Sequence, residues 1–334
     1  MKNPQFSVPV LIAAALFISS TSAAQDQCSQ CHEAQHQRWT LSLHAQSSED
    51  PLYRGMREWA RSEAGEQAAA LCANCHTSEI LSTSARTLSV ECRVCHQGVA
   101  VAPGPKGWKV DPTAPVAAAL EVEAPHPVRA SADLVSGQMC MVCHAELRNP
   151  KGVPLCTTGP ESESRRGGAN CLSCHMPARD HSFPGTTPEL LSQAAELALD
   201  LSKREARVTV LNRGAGHALP TGSALRQIVL EVEVLGQNHQ TLMSQRAVFA
   251  RILEDASGKA PVPPWRAVAV QRDTRLGPFE RRVITVELPL GAHAVSARLV
   301  YFRAPAPVAK RLGLEDEPLL RPVEMARLER VIAE

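Results

Sequence analysis

The chain has 334 residues and is almost neutral, with 35 lysines and arginines against 34 aspartates and glutamates. This balance argues against a nucleic-acid partner and gives no polybasic patch for a membrane surface. Aromatic residues make up only 4% of the chain, although 11 residues are cysteine, so the sequence is short of ordinary core material and rich in a reactive side chain.

The first 24 residues have the pattern of an export signal. Lys2 precedes an apolar run over residues 8–18, and Ser22-Ala23-Ala24 forms a small-x-small cleavage site. An apolar run of about 11 residues is too short to span a bilayer. We therefore expect a signal peptide over 1–24, cleavage after Ala24, and a periplasmic mature chain without a transmembrane segment.

One five-residue pattern, C-x-x-C-H, occurs five times and takes up ten of the 11 cysteines. It is the attachment signature of c-type haem, in which two thiols bond one porphyrin and the next histidine ligates its iron. Zinc ribbons and disulfide frameworks also pair cysteines, but neither requires a histidine after every pair. The pattern therefore predicts five covalent c-type haems. The attachment residues are Cys28, Cys31, Cys72, Cys75, Cys92, Cys95, Cys140, Cys143, Cys171 and Cys174, and the proximal iron ligands are His32, His76, His96, His144 and His175.

The haem-bearing half has few large apolar side chains of its own. Those between residues 25 and 185 are mainly Trp39, Tyr53, Trp59, Trp108 and Phe183. Five porphyrins would supply the missing apolar bulk, so we expect the haems to form the core of this half. It follows that the haem-free chain should fold poorly.

Between the motifs, the sequence predicts helices over residues 33–45 and 58–71 and an irregular loop, rich in proline and glycine, over 99–127. A second loop, over 149–170, contains Cys156, which has no partner once the other cysteines hold haem. We assign Cys156 no chemistry. His36 lies one helical turn from His32 and faces the same side of that haem, so it cannot supply the opposite ligand there.

Three further histidines are placed to reach irons other than that of the nearest motif. His44 lies well along the helix that follows the first motif. His126 stands between Pro125 and Pro127, which block helix formation and hold it on an extended segment. His181 comes six residues after His175, beyond a proline that ends the motif helix.

The C-terminal half has no attachment cysteine, and its apolar residues alternate with period two. We expect a connecting helix over 188–205, an antiparallel β-sandwich-like domain over 206–306 and a helical tail over 307–334. The predicted fold class is α+β, with a mostly irregular and helical haem domain over 25–187 followed by that β domain. The glycine-rich loop 212–222 presents His217 at a tight tip, whereas His239 and His293 lie in ordinary turns.

These motifs resemble a known group of proteins. The first motif with Trp39, Ser42 and His44-Ala45, the segment Cys171–His181, and Gly216-His217-Ala-Leu-Pro220-Thr221-Gly222 resemble the multihaem cytochromes related to the tetrahaem partner of hydroxylamine oxidoreductase. The likeness covers most of residues 28–235. It implies a periplasmic redox protein with closely stacked haems, most of them ligated by two histidines. On that pattern His44, His126, His181 and His217 are the candidate distal ligands.

Four distal histidines for five irons leave one iron unassigned. Either one haem is five-coordinate and open, or it takes its sixth ligand from His36, Met56, Met139 or Met141. An iron with two histidine ligands has no vacant position and only transfers electrons, whereas an open iron binds small molecules.

Three functions compete on this sequence. The favoured one is an electron carrier whose partners are other redox proteins, with a membrane quinol-linked cytochrome and a periplasmic oxidoreductase as candidates. The second is an enzyme that oxidises or reduces a small nitrogen or sulfur compound at an open haem. Every motif ends in histidine and the only tyrosines are Tyr53 and Tyr301, which weighs against lysine-ligated and tyrosine-linked catalytic haems. The third is a haem-bearing subunit of a larger electron-transfer assembly.

Overall fold

A computed structural model of the chain describes residues 25–81, 89–100, 107–163 and 171–332. The predicted export signal lies outside the described residues. Within these ranges, no helix is both long and apolar enough to cross a membrane.

The described part of the haem half contains nine α-helices, most of them shorter than three turns. They are α1 Gln25–Ser29, α2 Glu33–Thr40, α3 Pro51–Ala64, α4 Glu66–His76, α5 Cys92–His96, α6 Ala132–Ser136, α7 Met141–His144, α8 Thr158–Glu163 and α9 Cys171–His175. Short 3-10 turns occur at Gln138–Cys140 and Pro177–Arg179.

The longest helix, α3, has clear start and stop signals. Asp50 caps it by accepting a hydrogen bond from the Tyr53 amide at 2.9 Å, and Pro51 occupies the first turn. Gly65, with φ of +80°, ends it. The single helix predicted over 58–71 is therefore wrong: two helices meet at this glycine, because its left-handed backbone cannot continue the helical turn.

The described part of the haem half also contains seven short strands. They are β1 Glu79–Ile80, β2 Gly98–Ala100, β3 Trp108–Val110, β4 Val116–Ala118, β5 Val128–Ala130, β6 Leu147–Arg148 and β7 Pro154–Cys156. They form one three-stranded sheet and two pairs. The predicted loop over 99–127 is thus partly paired, and the parallel β4–β5 pair fixes the chain immediately after His126.

The C-terminal half is an antiparallel sandwich. Its elements are α10 Pro188–Ala194, β8 Ala195–Leu201, β9 Glu205–Asn212, β10 Gln227–Leu235, β11 Thr241–Glu254, β12 Ala269–Asp273, β13 Arg281–Glu287, β14 Ala294–Phe302, α11 Ala306–Leu312, a 3-10 turn Pro318–Leu320 and β15 Val323–Val331. The sheets run β12-β11-β10-β14-β15 and β13-β9-β8. Buried Val208 and Val210 of one sheet and Leu230 and Leu299 of the other belong to one apolar core. The predicted α+β class is confirmed.

Two predicted helices in this half are wrong. The connecting helix expected over 188–205 ends at Ala194, and residues 195–201 form β8, in which Ala195 and Leu199 are buried while Glu196 and Asp200 are exposed. The expected helical tail is α11 followed by the strand β15. In both places the free edge of a sheet pairs with the segment, and that pairing outweighs its local helical preference.

Among the described residues, apolar side chains from both halves form two shared clusters. Leu52 and Met56 of α3 form an apolar cluster with Ala309 and Leu320. Val153 and Leu155 form another with Leu253, Val262 and Ala267. A buried ion pair reinforces the first contact, since Arg303 Nη2 lies 2.6 Å from Asp50 Oδ2. The β domain is therefore docked on the haem half.

Candidate haem sites

Each C-x-x-C-H motif occupies a helical turn or the end of a helix. The second motif ends α4, and the third, fourth and fifth coincide with α5, α7 and α9 or begin just before them. In the first motif the His32 amide donates to the Cys28 carbonyl at 2.9 Å. Side chains three and four residues apart share one face of a helix. The local fold thus directs both thiols and the imidazole of a motif toward one group.

Several of the histidine rings have their orientation fixed by a backbone carbonyl. Nδ1 lies 2.9 Å from the Ser47 oxygen in His76, 2.7 Å from the Ala117 oxygen in His96 and 2.7 Å from the Pro184 oxygen in His175. A carbonyl oxygen only accepts, so Nδ1 carries the proton in each ring. Nε2 is then left with its lone pair free to bind iron.

Four of the five proximal histidines face a second histidine at nearly the same separation. The ring centroids are 6.4 Å apart for His32 and His126, 6.3 Å for His44 and His144, 6.4 Å for His96 and His181, and 6.3 Å for His175 and His217. An iron–nitrogen bond of about 2 Å and a further ~1 Å to each ring centre would put two imidazoles on one iron about 6 Å apart. The four pairs fit two-histidine iron ligation, and all four predicted distal candidates take part.

The second motif differs from the other four. His76 stacks on Tyr53, with ring centroids 4.1 Å apart and planes 7° apart. Its described ring contacts include no histidine, and the stretches that the structure does not describe contain none either. Ser47 holds its backbone as well, donating from Oγ to the His76 carbonyl at 2.9 Å. Among the described residues, the second motif is thus the one whose histidine faces a tyrosine where the others face a second histidine.

Other side chains are candidates for the sixth ligand of the one iron that lacks a distal histidine. Three of them have neighbours other than His76. His36 lies beside Trp39 at 5.5 Å, and Met56 belongs to the apolar cluster between α3 and the C-terminal region. The Met141 methyl group lies close to Gly159. No described contact joins any of these three side chains to His76.

Burial favours the neutral form of four of the paired histidines. It lowers the pKa of His144 to about 4 and also lowers the pKa values of His44, His181 and His217. The pKa of His76 is lowered for the same reason. A neutral imidazole is the form that binds a metal, so desolvation favours the ligating state.

The motifs touch one another through their cysteines. The Cys28 sulfur lies close to that of Cys92, Cys75 lies close to Cys143, and Cys140 lies close to Cys171. These contacts join the first motif to the third, the second to the fourth, and the fourth to the fifth. The fold therefore brings together groups that lie far apart in the sequence.

Residues that the sequence reasoning missed hold the ligands in place. They are Ser47 beside His76, and Asn212 and Glu161 beside His217. Glu161 lies in the segment interpreted as a loop, and its position beside His217 depends on a contact between the two halves. Only Asn212 carried a signal, because it begins the loop that presents His217.

Comparison with known proteins agrees with this geometry. A family model described as cytochrome c554 and c-prime matches residues 27–97. The crystal structure of a penta-heme cytochrome c552 from Thermochromatium tepidum is similar over 92% of this chain and 98% of that chain, with 25% sequence identity and a TM-score of 0.76. No curated protein matches the chain.

The residues present fit the predicted cofactor at all five motifs. Each offers two thiols for attachment and a following histidine, and four offer an opposing imidazole at ligating separation. With the family match and the structural likeness, these features identify the chain as a multihaem c-type cytochrome with five covalently bound haems.

Proposed function

We propose that the protein is a periplasmic electron carrier that passes electrons between redox partners through its five haems. When bound, haem iron supplies a one-electron couple, and the protein sets its ligands and surroundings. The observation that carries the proposal is the set of four histidine pairs with centroids 6.3–6.4 Å apart. Irons held between two imidazoles have no vacant position, which suits electron transfer alone.

The proposal assigns each pair to one iron. His126 serves the haem of His32, His181 that of His96, His44 that of His144, and His217 that of His175. In three pairs the second histidine comes from elsewhere in the haem half, and in the fourth it comes from the β domain.

The cysteine contacts suggest an order of electron transfer. The first and third haems are neighbours through Cys28 and Cys92, and the fourth lies beside the fifth through Cys140 and Cys171. Cys95 lies close enough to Cys140 to influence its charge, which links the third haem to the fourth. Since the second also contacts the fourth, the fourth haem is the branch point of the proposed route.

The proposed location and partners rest on the sequence. The export pattern over residues 1–24 supports a periplasmic site, where c-type haem is attached. The balanced charge supports protein partners and no nucleic acid. A membrane quinol-linked cytochrome and a periplasmic oxidoreductase remain the candidate partners.

Electron paramagnetic resonance of the oxidised protein, combined with haem quantitation, tests this function. The expected result is five haems per chain, at least four of them low-spin, and reversible reduction by five electrons in a potentiometric titration. Two or more high-spin irons in the intact protein would contradict the carrier.

A second candidate function is binding and conversion of a small nitrogen or sulfur compound at the second haem. It is favoured by the contacts of His76, which stacks on Tyr53 where the other proximal histidines face a second imidazole. A high-spin ferric signal from one haem that shifts when nitrite or hydroxylamine is added would support it. A fully low-spin spectrum would eliminate it and leave the simple carrier.

A further inference from the structure

The ligand assigned to the fifth haem comes from the β domain. His217 lies in the loop between β9 and β10, and its ring is 6.3 Å from that of His175 with the planes only 14° apart. A ligand presented by a separate domain needs a means of fixing its position relative to the haem half. The contacts around its backbone provide one.

The peptide unit joining His217 to Ala218 is held from both sides. Its carbonyl accepts a hydrogen bond of 2.9 Å from Asn212 Nδ2, and its N–H donates to Glu161 Oε2 at 3.2 Å. Asn212 belongs to the β domain and Glu161 to α8 of the haem half. The His217 ring is tied to the next peptide unit, since Nδ1 lies 2.9 Å from the Ala218 carbonyl oxygen.

Glu161 holds the rest of the loop as well. Thr221 Oγ1 donates to Oε2 at 2.5 Å, and Thr157 Oγ1 donates to Oε1. The same carboxylate therefore accepts hydrogen bonds from Ala218 and Thr221, which flank the cis Leu219–Pro220 peptide.

Two arginines of the β domain fix Glu161 itself. Arg275 Nη1 lies 2.7 Å and Arg251 Nη2 lies 3.6 Å from its Oε1, and the two side chains are 9% and 6% exposed. Both also pair with Asp273. Buried charges are tolerated only when they are paired and hydrogen-bonded, and each charge of this network has such partners. That arrangement places the carboxylate against the peptide of the ligand.

We propose that Glu161 is a positioning residue that seats His217 on the fifth haem and makes ligation there depend on domain docking. The inference rests on the proposed assignment of His217 to that haem. It adds a residue of α8 to the group that determines the spin state of the iron.

The test compares the spin states of three full-length variants with that of the wild type. His217→Ala should add one high-spin haem to the wild-type count. Glu161→Ala should add up to one high-spin haem, and added imidazole should return it to low spin by occupying the vacated position. The double variant should show no more high-spin haem than His217→Ala alone, because both changes act on one iron.

Glu63→Ala is the matched control. Glu63 also joins the haem half to the C-terminal half, with Arg266 Nη2 at 2.6 Å and Trp265 Nε1 at 3.0 Å from its carboxylate. Its partners belong to a different contact from the His217 loop. This variant should keep the wild-type spectrum. If it gained as much high-spin haem as Glu161→Ala, the effect of Glu161 would come only from holding the two halves together, and the proposal would be overturned.

The outcomes separate the two hypotheses. If His217→Ala changes nothing, the ligand assignment fails. If His217→Ala gains a high-spin haem but Glu161→Ala does not, the assignment stands and the positioning role fails. Additive gains in the double variant would also overturn it, since Glu161 would then act on another iron.

Glu161→Gln provides a second route if the alanine variant loses its haems. Glutamine keeps an oxygen acceptor for the Ala218 N–H but removes the charge that pairs with Arg275. A more weakly held His217 should let the ferrous protein bind carbon monoxide at one more haem than the wild type. Unchanged carbon monoxide uptake in this variant would contradict the proposal.

Discussion

The two halves of the molecule fold around different kinds of core. The β domain buries its own side chains, including Val208, Leu230, Phe249 and Leu299, between two antiparallel sheets. The haem half buries fewer apolar side chains, and Leu52, Met56, Val153 and Leu155 among them face the C-terminal half. The comparison leads us to expect that the β domain is stable by itself, while the haem half depends on its cofactors and on docking.

Haem removal should produce the largest effect and tests the comparison directly. In a full-length chain produced without haem attachment, we expect residues 25–187 to be cleaved rapidly and the β domain to resist, because the porphyrins supply the core of the first half. Limited proteolysis with mapping of the fragments measures this. A haem-free chain that resists throughout would show that the protein core of the haem half suffices.

Truncation of the β-domain core should produce the next largest effect. Phe249 is 1% exposed, and Phe249→Ala should lower the free energy of unfolding of the β domain by about 3–5 kcal/mol. Chemical denaturation measures the loss. Val283→Ala, at an exposed position of β13, is the control and should change stability by less than about 0.5 kcal/mol. Equal losses would contradict the sandwich core.

The buried ion pair between Arg303 and Asp50 joins the two halves near the second motif. Arg303→Ala leaves Asp50 buried without its cation and should cost about 2–3 kcal/mol. Asp50 caps α3, which carries Tyr53, so the absorption spectrum of the haem held by His76 should shift as well. Arg298→Ala breaks an exposed pair with Glu231 and should cost less than about 1 kcal/mol. An unchanged spectrum in Arg303→Ala would separate the docking contact from that haem.

Acid should weaken the docking contact modestly. Burial acts to raise the pKa of Asp273, but hydrogen bonds from Arg275 and the charges of Arg275 and Arg251 outweigh it, and the pKa is lowered from the ordinary value of 3.8. A carboxylate with a lowered pKa stabilises the fold above its ordinary value and loses that contribution as the pH falls through the lowered one. Because this loss begins only near the ordinary value of 3.8, unfolding midpoints followed from pH 5 to below pH 3 measure the decline. Asp273→Asn should flatten it, and an unaltered slope would exclude Asp273 as its source.

The comparison also explains where prediction from the sequence failed. The strands of the sandwich were predicted because alternation follows from one buried face. The helix start at Thr187 favours a helix through residues 195–201, although Ala195 and Leu199 alternate with Glu196 and Asp200. The strand β15 was missed for a related reason, since it forms by pairing with β14.

The sequence by itself determined the chemistry of this protein. Haem attachment needs two thiols and a histidine within five consecutive residues, so covalent geometry and one helical turn specify it locally. Only the tertiary structure decided how histidines far apart in the chain pair, which motif faces Tyr53, and that Glu161 lies against the peptide of His217. Those relations depend on how the two halves pack against each other. A local sequence pattern cannot predict them, because the residues in contact are far apart in the chain.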